Sequence, residues 1–173
     1  DYNNFDYQVM MWRYGSDSNA NRIMVRGIPE PLKGDGHWYS SYFFQYTRGG
    51  SFSIYKEFSD GSVYALQDWT SSAAINTGDA WNTLRVVGDG NNLYFYINGT
   101  LVWSGTDTSF TSGRVGIGMY RGGDEGDILY INWATLTPLT DAGSFEGETV
   151  SADQQLLNEA ANQNPVGNID SSE

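Results

Sequence analysis

A chain of 173 residues has the length that one hydrophobic core serves, and two full domains would be cramped in it. Its net charge of −12, with only nine Lys and Arg, excludes the phosphate-neutralising surface that nucleic acid requires and electrostatic docking onto anionic lipid. No apolar run approaches the roughly 20 residues that insert across a bilayer, and the lack of cysteine removes disulfides, thiolate chemistry and Cys-ligated zinc.

Aromatic residues make up 15% of the chain and Gly is abundant, whereas helix-building Leu, Ala, Glu and Lys are sparse. Short apolar or alternating runs separated by Gly, Asn, Asp and Ser predict strands at residues 6–13, 22–28, 38–47, 51–58, 63–67, 82–87, 93–97, 100–104, 114–120 and 127–136. About ten strands call for two packed sheets or a barrel. In the third and fourth of these, the period of two puts Tyr42, Phe44, Tyr46, Phe52 and Ile54 on one face, and Phe43, Gln45 and Tyr55 on the other. Leu84, Val86, Leu93, Phe95, Ile97, Val115 and Ile117 form the matching inward sets, so the first face is the core.

Asn98-Gly99 lies between two apolar runs and supplies the two positive φ angles of a type I′ hairpin turn. Asn98-Gly99-Thr100 is also a glycosylation sequon, but the tight turn explains the pair on its own. A second turn falls at residues 88–92. Beyond Pro138 the chain carries seven acidic residues and no basic one, which marks 139–173 as an acidic tail or linker after a domain at 1–138. Within it, Ser151-Ala152-Asp153-Gln154 has capping-box spacing ahead of Leu156, Leu157, Ala160 and Ala161, predicting a short helix to about residue 162.

The stretch INTGDAWNTLRV at 75–86, then Gly90-Asn91, LYFYINGTLV at 93–102, Asp107 and SGRVG at 112–116 resembles the concanavalin A-like jelly-roll superfamily. More narrowly, it is similar to the laminin-G-like and 3-keto-disaccharide-hydrolase-like domains of bacterial exported proteins. The likeness covers residues 5–136 and implies an all-β, two-sheet antiparallel sandwich. The superfamily holds lectins, binding modules, hydrolases, lyases and adhesion domains, so the fold alone transfers no chemistry. The glycosidases of the superfamily carry an E-x-D-x-x-E string on one strand, and no such string is present. The carboxylates Asp6, Glu57 and Asp127 end strands or stand alone, and Glu30 sits in a Pro-rich loop.

His37, the only histidine, would have to serve any Ser-His-Asp or His-based metal site, and it reads as a loop residue before a strand, the alternative being a rim residue that hydrogen-bonds a ligand. Asp124, Glu125 and Asp127 follow two glycines and offer calcium several oxygens on adaptable backbone; the alternative is a solvated acidic turn. Related jelly rolls often place an acidic residue before Asn in the last strand, where this chain has Ile131-Asn132, so that strand supplies no carboxylate.

Sugar recognition needs flat aromatic faces together with planar donors and acceptors. Trp12, Phe43 and Tyr55, with Gln45 beside them, are expected on the face away from the core; Arg26 and Arg121 end strands, and Trp69 is expected in the loop after Gln67. Taken one at a time, such aromatics are more often core or interface fillers. The leading expectation is a non-catalytic module that binds a poly- or oligosaccharide, or mediates adhesion, within a larger exported protein. The chain begins at Asp1 in strand-like sequence, as a mature product would, and is expected to be secreted, periplasmic or at the cell surface. The alternatives are a glycoside hydrolase or related sugar-processing enzyme, and a structural domain whose free face meets a neighbouring domain.

Overall fold

A computed structural model describes residues 1–30, 38–122 and 126–140. Ten strands follow in chain order: β1 (Phe5–Tyr14), β2 (Ala20–Gly27), β3 (Ser41–Thr47), β4 (Ser51–Glu57), β5 (Val63–Ser71), β6 (Asn82–Asp89), β7 (Asn92–Ile97), β8 (Thr100–Thr106), β9 (Arg114–Met119) and β10 (Ile128–Pro138). Each predicted strand is present. β3 starts later than expected, leaving Trp38 ahead of it, and β5 runs on to Ser71, making Trp69 a strand residue rather than a loop residue. The predicted helix of the tail lies outside the described residues.

The strands form two five-stranded sheets, the first in the order β10-β1-β6-β7-β8 and the second β5-β4-β3-β2-β9. All pairings are antiparallel. β7 and β8 join through Asn98 and Gly99, whose φ angles of 50° and 81° are those of the expected turn.

Between the sheets, Phe5, Tyr7, Val9 and Met11 of β1 meet Ile23 and Val25 of β2, Tyr42, Phe44 and Tyr46 of β3, and Phe52 and Ile54 of β4. Leu84, Val86, Leu93, Phe95 and Ile97 complete the core, each contributing about 1.5–3 kcal/mol by burial. The alternation read from the sequence therefore points the right way. A smaller cluster of Val87, Tyr96 and Leu101 lies on the outer side of the first sheet, where Leu139 packs against it.

Polar clamps close the ends of the sandwich. Arg13 and Asp127 form an ion pair with both side chains almost wholly buried, and Asp127 also accepts from the Ser16 N–H and the Asn19 amide. Burial alone would raise the Asp127 carboxyl; these three donors outweigh it and hold the group below the usual carboxylate range.

Candidate functional site

The outer face of the second sheet brings together Phe43, Gln45 and Tyr55 of the expected site. Phe43 faces Tyr55 across β3 and β4, with ring centroids 5.5 Å apart, and Gln45 faces Ser53, to whose hydroxyl its amide donates at 2.9 Å. β2 adds Arg22 and Met24, which pair with Gln45 and Phe43. The Arg22 guanidinium lies 4.9 Å from the centroid of the Phe43 ring. On the other side, β5 bulges opposite Ile54 and buries Gln67 there. Asp68 accepts the Tyr55 phenol at 2.6 Å, and Trp69 is 40% exposed at the lip.

Trp38 covers the β2–β9 side. Its ring occupies the space that side chains at Gly27 and Gly116 would fill, and a Cβ at Gly116 would stand 2.5 Å from it. The glycines of β9 and the end of β2 thus make room for an indole. Glu57, paired with Ser41, and the exposed Tyr120, beside Ala20, both act electrostatically on Arg22, whose guanidinium burial draws below its ordinary value. Burial followed by the hydrogen bond to Asp68 pushes the Tyr55 phenol well above its own.

Two polar atoms on this face are sealed from solvent without a hydrogen-bond partner, Arg22 Nε and Gln45 Oε1; Gln67 Oε1, opposite the core residue Ile54, is sealed likewise. Phe43, Gln45 and Tyr55 are no more than 7% exposed, because Arg22 lies over the Phe43 ring and Asp68 meets the Tyr55 hydroxyl. The face is a filled depression with an open lip at Trp69 and Tyr120.

The other expected site residues are dispersed. Trp12 is on the outer face of the first sheet, stacked on Tyr130 at 4.6 Å and edge-on to Trp81 at 5.8 Å, so it does not join Phe43 and Tyr55. Arg26 is buried at a φ of 50°, donating to the carbonyls of Asn3, Phe110 and Gly90 at 2.7, 3.2 and 2.5 Å; it ties loops together. Arg121 is exposed just beyond Tyr120. Of the expected calcium cluster, Asp127 is engaged as described, and Asp124 and Glu125 lie outside the described residues, as does His37. Arg22, Met24 and Trp38 escaped the sequence reading, although the alternation that places Gln45 and Phe43 outward extends across the β2 register to Arg22 and Met24.

Residues 1–128 match the family of the 3-keto-alpha-glucoside-1,2-lyase-like domain. A search of curated proteins gives no match. Among solved structures, a galectin of Caenorhabditis elegans superposes with a TM-score of 0.53 at 14% identity, over 79% of this chain and 84% of the galectin. Sheep galectin-11, solved with glycerol, gives 0.53 at 11% identity, over 79% and 92%. A carbohydrate-binding module from Bacillus subtilis gives 0.49 at 16% identity, over 79% and 73%. At these identities the likeness concerns the fold.

Proposed function

This chain belongs to the 3-keto-alpha-glucoside-1,2-lyase-like domain family, and on that premise we propose that it recognises a carbohydrate on the outer face of its second sheet. The observation that carries the reading is the pair of unpartnered atoms Arg22 Nε and Gln45 Oε1 beside Phe43 and Tyr55, with Trp69 exposed on the neighbouring strand. Leaving a buried polar atom unsatisfied costs about 1–3 kcal/mol. Sugar hydroxyls entering there recover that cost at the Gln45 oxygen and at Arg22 Nε, and the apolar face of a pyranose lies on the rings. Entry requires Arg22 to lift from Phe43, a cation–π contact worth about 0.5–2 kcal/mol, so the exchange favours the ligand. The galectins that share the fold, one of them solved with the polyol glycerol, support the ligand class. The domain then serves as a binding module of a larger protein outside the cytoplasm.

Calorimetric titration with a panel of neutral oligosaccharides tests the proposal. Gln45→Ala and Trp69→Ala should each weaken binding about tenfold, the effect of roughly 1.4 kcal/mol, while Trp12→Ala on the other sheet leaves it intact. Binding unchanged in both site variants would refute the location.

A second reading is catalysis at the same face, favoured by the Tyr55–Asp68 hydrogen bond of 2.6 Å near Glu57. The ketone of a 3-keto glucoside acidifies the C2 proton. Glu57 would take that proton as the C1–O bond breaks and a C1–C2 double bond forms. Tyr55, kept protonated by burial and by Asp68, would protonate the leaving oxygen, and the proton held on Glu57 would restore the phenol. Proton NMR of a 3-keto glucoside incubated with the protein would show a vinylic C1–H signal, absent with Tyr55→Phe; no such signal from the wild type leaves binding as the sole activity.

A further inference from the structure

Strand β10 is an edge strand of eleven residues whose inner side pairs with β1, and among the described residues nothing pairs with its outer side. Exposed edges of this length template further pairing, and proteins commonly guard them with charge, proline or brevity. β10 has no charged residue, and its one proline is the last position, Pro138. The other edges are guarded: β5 carries Asp68 and two register shifts, β8 has seven residues, and β9 has six and opens with Arg114.

Apolar exposure concentrates at the same place. Of the eleven large hydrophobic side chains exposed among the described residues, six lie on β10 or beside it: Tyr14, Trp81, Ile128, Tyr130, Ile131 and Trp133. Together they present on the order of 500 Å², at 150–250 Å² for a whole aromatic side chain, before the exposed Asn132, Ala134, Thr135 and the strand backbone are added. A standard interface takes about 800 Å² from each partner.

We propose that β10 is a dimer interface: two copies of this chain pair β10 with β10 antiparallel about a two-fold axis, joining their first sheets into one continuous sheet. The occupant follows from symmetry and charge. An antiparallel strand is self-complementary and closes after two copies, whereas β10 against β8 of another copy would run on head to tail as a filament. Two chains of net charge −12 repel each other, and an uncharged edge is where they can approach; added salt should therefore tighten the dimer.

Sedimentation equilibrium of the full chain over roughly a hundredfold range of concentration, with hydrogen exchange at each concentration, tests this. Twice the chain mass is expected, with alternate amides of β10 exchanging about tenfold more slowly as dimer forms. Ile131→Lys and Thr135→Lys, both at exposed positions, should each give monomers with an unchanged near-ultraviolet spectrum and unchanged sugar titration. A chain that stays monomeric, or a dimer that survives both lysines, would overturn the proposal. So would β10 amides protected equally at every concentration, since residues 141–173 or another segment of the same chain would then occupy the edge.

Discussion

Asp107 takes the Tyr42 phenol and the Lys56 ammonium, each at 2.6 Å, and the Ser109 N–H at 2.8 Å. Burial works to raise its pKa, and the hydrogen bonds from Lys56, Tyr42 and Ser109 overcome that and hold the carboxyl far below the usual range. A carboxyl depressed on folding adds stability that is complete above the unfolded value of about 3.9 and drains away as pH falls towards the folded one. Asp107→Asn should therefore cost about 1.5–3 kcal/mol at neutral pH, and the cost should shrink below about pH 4, as read from urea unfolding across pH. A cost that stays constant into acid would mean that the network acts by shape and not by charge. Asn98 has a comparable role in a turn. Its amide nitrogen donates to the Ala74 carbonyl at 2.8 Å and to Asn82 Oδ1 at 2.7 Å, while its oxygen accepts the Thr83 N–H at 2.8 Å. The atom a glycosyl transfer would use is engaged, so the folded protein should stay unmodified at Asn98 in a glycosylating host, as intact mass would report. Asn98→Ala, which loses these bonds and the tolerance of positive φ, should cost about 2 kcal/mol or more.

At the scale of elements, alternation was enough to place all ten strands and to send Tyr42, Phe44 and Tyr46 inward, because a period of two is a local property of the chain. It could not say which sheet an outward residue belongs to. Trp12 and Phe43 both point away from the core, yet β1 and β3 sit in opposite sheets, an outcome of long-range pairing. Trp133 was hidden by a bulge: β10 shifts register between its partners Met10 and Met11, so Trp133 and Tyr130 share a face that strict alternation would divide. Trp38 was missed because its place depends on two glycines remote from it in sequence, Gly27 and Gly116. That contact yields a prediction of its own. Gly116→Ala should push the indole off β9 at a cost of about 1–3 kcal/mol, shifting tryptophan emission and weakening sugar binding, whereas Gly126→Ala, with open space at its Cβ and no positive φ, should spare both. Equal emission spectra for Gly116→Ala and wild type would show that Trp38 does not rest there.

For the whole molecule the balance of charge matters more than any one pair. Among the described residues, Arg13, Arg48, Lys56, Arg85 and Arg114 lie within ion-pair distance of Asp residues. Acidic groups outnumber basic ones 21 to nine, so twelve negative charges stay unbalanced. Residues 1–138 hold fourteen acids against the nine bases, a net of −5, and the tail adds the other seven negative charges. Self-repulsion opposes the compact state, and screening relieves it over a Debye length of about 10 Å at 0.1 M salt. The exposed pair Arg114–Asp1 loses little on screening, since such pairs contribute about 0–1 kcal/mol, and the buried Arg13–Asp127 pair is shielded from salt by its surroundings. Raising sodium chloride from low concentration to about 0.3 M should therefore increase the unfolding midpoint of the full chain, and increase it less in a chain ending at residue 140. A midpoint that falls with salt would show instead that the few cation–carboxylate pairs outweigh the net repulsion of twelve excess charges.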